Sequence, residues 1–374
     1  MVVEDKLIEL KESKKGQTMK ALVLISPGAF AVQDVPIPKP GRHEVLCRIR
    51  GVAICGSDPE IIRGGLAGTW PPSYPFIPGH EWSGEVVEAG DGVLDFKPGD
   101  AVAGEAHKGC GYCRNCLQGR YNLCENYGHA ATGHRHYGFV SQGAYAQYNA
   151  YSVRSIHHLP QAVSFREGAL VDTAGVTLHG MELTGITPGG TAVVIGPGPI
   201  GLIAMRFAKA LGAARVIVVG RGARLRAAAT KGADAVVDFE KQDPVRAVRD
   251  LAAGLGVDEV FECSGAPGTF AQAVRMVRKG GKVALLGVPP DAVLEELPFK
   301  YIVHNEIAIF GSRANPNVSR KIIQMMAAGQ IKVKDLVTHT FPLEEFAAGL
   351  DTFVNRRDGV IKVVIEPNGA EAPR

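Results

Sequence analysis

Four of the chain's seven cysteines fall within fifteen positions, in the stretch HKGCGYCRNCLQGRYNLCEN. Cys110, Cys113, Cys116 and Cys124 are spaced C-x2-C-x2-C-x7-C. Such CxxC steps let consecutive sulfurs turn inward around one tetrahedral ion, and Gly109, Gly111 and Gly119 free the loop to wrap. The leading residues, MVVEDKLIELKESKKGQT, carry both charge signs and lack the apolar core of a signal peptide. The expectation is therefore a cytoplasmic protein, whose thiols stay reduced and whose clustered cysteines hold metal rather than disulfides. Structural zinc is the leading reading, with an iron–sulfur centre or free redox thiols as alternatives. A closed site of four cysteines has no open position. It staples a loop and does no chemistry.

Two further stretches carry metal-ligating residue types: CGSDPE, from Cys55 to Glu60, and GHEWSGE, from Gly79 to Glu85. Cys55 and His80 stand 25 residues apart in loop-like positions. Taken alone, a buried cysteine and a satisfied histidine are the simpler reading.

A nucleotide site is written into VVIGPGPIG, where Gly196, Gly198 and Gly201 form GxGxxG around Pro199 and Ile200. The first glycine makes the tight turn, the second admits a pyrophosphate, and the third lets the helix pack on the strand. N–H groups of the helix's first turn then face the phosphates. The motif follows a strand and opens a helix, as the dinucleotide reading requires. The next strand, RVIVVG, ends in Gly220 where a carboxylate would hold the ribose of NAD, and Arg221 and Arg224 follow. Two guanidinium groups without an acid suit a 2′-phosphate, or else they are a solvated helix start.

These residues need two frames to hold them. Up to about residue 170 the chain reads as short β segments broken by Gly and Pro, among them KALVLI, EVLCRIRGVAI and WSGEVVEAG. Beyond Thr173, apolar strands alternate with Ala-rich helices, the pattern of βαβ units in a parallel sheet. The 374 residues suit two domains, and a net charge of +3 with scattered cations argues against a nucleic-acid partner. No run approaches the ~20 apolar residues of a membrane span.

VAICGSD, PGHEWSGEVVEAG, the four-cysteine lobe, GPGPIG and the closing LVTHTFPLEEFAAGLD come in the order of the zinc-dependent medium-chain alcohol dehydrogenases. From Met19 onward the chain resembles that family, most closely its polyol and threonine dehydrogenase branches, with features of the NADP-linked secondary alcohol enzymes. The resemblance implies an α/β protein in which a Rossmann doubly wound parallel sheet accompanies a GroES-like β-barrel catalytic domain. The expected limits are an N-terminal extension over 1–18, a catalytic part over 19–172 with its zinc lobe at 107–126, a Rossmann domain over 173–315, and a catalytic tail over 316–374. The active site is expected in the cleft, and the assembly as a homodimer or homotetramer paired through Rossmann sheet edges.

Carried over residue by residue, the resemblance makes Cys55 and His80 two catalytic zinc ligands. It makes Glu81 the carboxylate that binds or exchanges at the metal. Asp172 falls where the family puts a third or fourth ligand, or a group that orients one. Ser57 matches the hydroxyl that relays the departing proton, unless it only caps local backbone. Glu60 departs from the pattern, standing where a relay histidine is usual. Arg313 and Asn315 in GSRAN resemble the polyol enzymes' FRYAN and are candidates for substrate, cofactor or hinge contacts. His134 and His136 read as polar loop residues. The implied activity is hydride transfer between a secondary alcohol or polyol and NADP(H), with one catalytic and one structural zinc. The same chemistry with NAD(H), and a non-catalytic protein that binds zinc and nucleotide, are the alternatives.

Overall fold

The apolar runs TAVVI and RVIVVG form neighbouring strands, Thr191–Ile195 and Arg215–Gly220, buried along nearly their whole length. Burial on both faces is what a parallel sheet covered by helices demands of its strands. Six strands build this sheet, in the spatial order Ala235–Asp238, Arg215–Gly220, Thr191–Ile195, Val257–Glu262, Val277–Leu285, Ala308–Gly311. Every neighbouring pair is parallel. In chain order that is 3-2-1-4-5-6, the doubly wound dinucleotide-binding arrangement. The GxGxxG turn falls at its centre, directly after the first strand.

The computed structural model describes residues 16–66, 68–289 and 298–370. The expected N-terminal extension lies outside the described residues as far as residue 15. The chain divides into two units, one of residues 1–172 with 337–374 and one of residues 173–336. The second unit thus runs on past the limit expected at 315. The segment 316–336 is fastened there by ion pairs: Lys321 with Glu182 at 2.7 Å, and Asp335 with both Arg206 at 2.7 Å and Lys231 at 2.5 Å.

The first unit is built mainly on antiparallel pairing, with one parallel pair, Val337–Pro342 beside Lys362–Glu366. The hairpin Thr18–Ser26 with Ala29–Pro36 stands beside a seven-stranded sheet, and bridges Ala21–Ala146 and Leu24–Phe76 tie hairpin residues to the rest of the unit. Strand Glu44–Ala53 is central, pairing with Glu81–Ala89, Tyr148–Ser152 and the late strand Lys362–Glu366. Leu22, Ile49, Trp82, Tyr145, Tyr151 and Ile365 share its core. Register positions the chemistry: Ala53 pairs with Glu81 on one side and with Val364 on the other. The end of the central strand therefore brings Cys55, His80, Glu81 and Lys362 into one neighbourhood. Among the described residues, no helix is long and apolar enough to cross a membrane.

Candidate metal and nucleotide sites

Cys55 follows the central strand, and its backbone N–H donates to Asp58 Oδ2 at 2.9 Å. The same carboxylate oxygen accepts the Tyr145 hydroxyl at 2.7 Å, while Asp58 Oδ1 lies 3.8 Å from His80 Nδ1. Asp58 and Tyr145 are wholly buried, so the turn from Cys55 to Asp58 is fixed from behind, with the His80 ring beside it. In front, ligand atoms of Cys55, His80 and Glu81 all lie within 4.8 Å of one another. Burial alone would lower the pKa of His80, but Cys55, Asp58 and Glu81 raise it to about 10. A buried site that draws a proton onto its histidine is short of positive charge. Its sulfur, nitrogen and oxygen donors fit zinc.

Asp172 stands beside this set, at the start of helix Val171–Thr184, with the Ala106 N–H 3.5 Å from its Oδ1. Burial pushes it up to about 7; the charge of His80 opposes that, and Glu81 and Glu105 add to it. Glu81 has a buried counter-ion in Lys362, with Nζ 2.5 Å from Oε2. Ser57 precedes the short helix Asp58–Arg63 but makes no side-chain cap bond, and its Oγ is buried without a partner. The capping alternative therefore does not account for it. Glu60 is exposed and paired with Arg63.

The four-cysteine loop closes on itself. Ligand sulfurs of Cys110, Cys113, Cys116 and Cys124 lie within 4.8 Å of one another, with two cross-pairs, Cys110–Cys116 and Cys113–Cys124, at 3.9 Å. A tetrahedron of sulfurs at a zinc–sulfur distance of about 2.3 Å has edges of about 3.8 Å, whereas a disulfide needs about 2.05 Å. The loop has the size of a zinc cage. Backbone N–H groups of Cys113 and Cys116 point at sulfurs at 3.4 and 3.5 Å, as a thiolate cage requires. A Cβ on Gly109 would lie 2.5 Å from Cys116 Sγ, so only glycine fits there. Glu105, buried, accepts from Tyr121 of this lobe and lies 3.2 Å from His157 Nε2, tying the lobe to the sheet.

In the second unit, Gly196 has φ +92°, and a Cβ on Gly201 would lie 2.0 Å from the Gly196 carbonyl. Both glycines are therefore required by the turn. Pro199 and Ile200 open helix Pro199–Ala210, whose first N–H groups border the loop. A Cβ on Gly220 would lie 2.3 Å from Pro197 Cδ, which closes this position to a carboxylate side chain. Arg221 pairs with Glu240 at 2.7 Å and lies over the Phe239 ring at 5.7 Å. The Arg224 guanidinium passes 3.9 Å from where a Gly198 Cβ would be. Arg313 is exposed, while Asn315 is buried against Gly175.

Residues 41–161 match the alcohol dehydrogenase GroES-like domain family, and residues 199–328 the zinc-binding dehydrogenase family. Sorbitol dehydrogenase of Bacillus subtilis is 34% identical over 94% of this chain and 98% of its own length. The L-threonine 3-dehydrogenase of Bacillus licheniformis is 34% identical over 93% of this chain and 99% of its own length. Among solved structures, a zinc-binding dehydrogenase from Sinorhizobium meliloti 1021 bound to NADP has a TM-score of 0.86 at 34% identity, covering 94% of this chain and 100% of that one. The chain belongs to the zinc-dependent medium-chain alcohol dehydrogenase family. It is an oxidoreductase, and its polyol-branch resemblance stands.

Four groups around the sites of this dehydrogenase lie outside the residues that its motifs single out. Asp58 was in plain view inside CGSDPE. Lys362 had a signal too, as one cation inside the apolar strand GVIKVVIEP. Tyr145 and Glu105 carried none, since their partners are distant in sequence. His134 and His136, expected as polar loop residues, are both buried. His136 stacks between His107 and Phe139, with ring centroids at 3.8 and 3.9 Å.

Proposed function

We propose that this dehydrogenase interconverts a secondary hydroxyl of a polyol and the matching ketone, with NADP(H) preferred over NAD(H). One catalytic zinc would be held by Cys55, His80 and Glu81, with Asp172 as an adjoining carboxylate, and one structural zinc by Cys110, Cys113, Cys116 and Cys124. The observation that carries this reading is Ser57: a buried hydroxyl without a partner, two residues from Cys55 in the donor cluster. A non-catalytic zinc protein leaves that hydroxyl unexplained.

When bound, zinc supplies the Lewis acidity that makes an alcohol proton acidic near neutral pH, and the nicotinamide supplies the hydride acceptor. The chain's own residues do the rest. Ser57 accepts the alcohol proton and passes it outward, while Glu60, exposed beside Arg63, offers a terminal acceptor in place of a histidine. Asp58 and Tyr145 keep the Cys55 turn in place beside the ring of His80. Pro197 packed against Gly220 keeps an acidic side chain out of that position, and Arg221 and Arg224 supply charge for a 2′-phosphate. The NADP-bound relative supports the cofactor and the sorbitol dehydrogenases support the polyol. A homodimer or homotetramer joined along edge strand Ala308–Gly311 belongs to the same reading.

A panel of polyols, simple secondary alcohols, threonine and their ketones, followed by nicotinamide absorbance with both cofactors, tests it. Polyol turnover with NADP+ is expected, and Ser57→Ala should reduce it about 10²-fold or more. A panel without turnover, or a silent Ser57→Ala, sinks the assignment.

A further inference from the structure

A wall of rings leads away from His80 within the first unit. Phe139 lies 4.5 Å from the His80 ring, centroid to centroid, and stacks on His136 at 3.9 Å with the planes 11° apart. Trp70 meets Phe139 edge-on at 5.0 Å and His136 at 5.8 Å. Trp70 is thus one ring removed from a proposed metal ligand. It sits in the irregular segment after helix Asp58–Arg63, packed on the core.

Beyond His80, whose Nδ1 also lacks a hydrogen-bond partner, the wall carries one more polar atom that the described fold leaves unused. Trp70 Nε1 is buried and has no hydrogen-bond partner. His136, by contrast, is committed, with its Nδ1 2.5 Å from the Tyr127 hydroxyl. An indole N–H is a donor only, so whatever satisfies it must bring an acceptor oxygen. Buried indoles ordinarily find one. Aromatic faces with a single placed donor form a surface for a carbon chain that carries an oxygen next to the reacting carbon.

We infer that Trp70 is a specificity-determining residue: its indole N–H donates to a hydroxyl adjacent to the reacting carbinol, so the site selects vicinal diols and polyols over simple secondary alcohols. This rests on the proposed alcohol dehydrogenase reaction and adds the feature that tells one alcohol from another. A site built around a donor discriminates against an analogue that lacks the acceptor, because the donor is then left buried and unpaired.

Butane-2,3-diol and butan-2-ol differ by that one hydroxyl. Turnover of butan-2-ol by the wild-type enzyme reads the reaction itself, and the diol-to-alcohol ratio of kcat/KM reads the subsite. Trp70→Phe keeps a ring and removes the N–H, and should lower that ratio about 10- to 100-fold. An unchanged ratio overturns the inference. A second measurement needs no variant, because the chain has only two tryptophans. Trp82 cannot respond directly, as its Nε1 is 1.9 Å from where a Gly104 Cβ would be and its side chain is fully buried. In the complex with reduced cofactor, the diol should therefore shift one of the two indole 15N–1H resonances more than butan-2-ol does. Equal shifts from both alcohols, or none, overturn the inference as well.

Discussion

Lys362 places its ammonium 2.5 Å from a carboxylate oxygen of Glu81, and both side chains are at least 97% buried. Register makes the pair: Ala53 is flanked by Glu81 on one strand and Val364 on another. The proposed metal ligand is thus also one half of a buried ion pair. Removing a single partner from such a pair strands a charge, at a typical cost of about 3–5 kcal/mol. Lys362→Met should lose stability on that scale in urea unfolding once the accessible metal has been chelated. Before chelation the loss should be smaller, since the metal's charge substitutes for the ammonium. Adding Glu81→Gln to Lys362→Met should recover part of the loss. No recovery would mean that packing, not charge, is the role of Lys362.

The two cysteine-containing sites should respond differently to metal removal. Chelation should first extract the metal of Cys55, His80 and Glu81, which removes activity and leaves far-ultraviolet circular dichroism unchanged. Loss of the second metal should disorder the lobe, because four thiolates there have no other cross-link. His80→Ala should hold one zinc per chain by elemental analysis and turn nothing over. Two zinc ions in His80→Ala would move the catalytic metal elsewhere.

Arg221 meets Glu240 where a 2′-phosphate would compete for it. Arg221→Ala should weaken NADP+ and leave NAD+ nearly unchanged, by roughly 10- to 150-fold for a lost charge-assisted bond. Glu240→Gln should act in the opposite sense and tighten NADP+. Added salt should weaken NADP+ more than NAD+, since the contact is half exposed. Fluorescence titration with the reduced cofactors checks all three. Equal response of both cofactors would reduce Arg221 to a solvated helix start.

Asp335 should make the second unit acid-sensitive. Burial acts to raise its pKa, but hydrogen bonds and charge from Arg206 and Lys231 hold it down at about 2, against an ordinary 3.8. A depressed carboxyl stabilises fully above its unfolded value and loses that contribution as pH falls from about 3.8 through about 2. Asp335→Asn has nothing to lose over that range. Urea midpoints at about pH 5 and about pH 3 should therefore differ more in the wild type than in Asp335→Asn. Equal differences would show that the pair contributes nothing measurable.

The sequence alone determined what is local or strictly spaced. The four cysteines were legible because a cage within fifteen positions needs no long-range folding to bring its sulfurs together. The GxGxxG turn was legible because it needs glycine locally at Gly196, for its positive φ, and at Gly201, for its close approach to the Gly196 carbonyl. Strand type was legible because burial on both faces leaves an unbroken apolar run. Tertiary structure decided what depends on register and on distant partners. Glu81 could be flagged from its motif, but its pairing with Lys362 follows from a strand 281 positions later joining the same sheet. Ser57 stands at a capping position in the sequence, and only the structure shows its hydroxyl buried and making no cap bond. The histidines of GHRHYGF looked like loop polarity, yet ring stacking with His107 and Phe139 takes His136 into the interior. Composition reports polarity and spacing reports reach, but which side chain meets which is set only when separate strands close around one core.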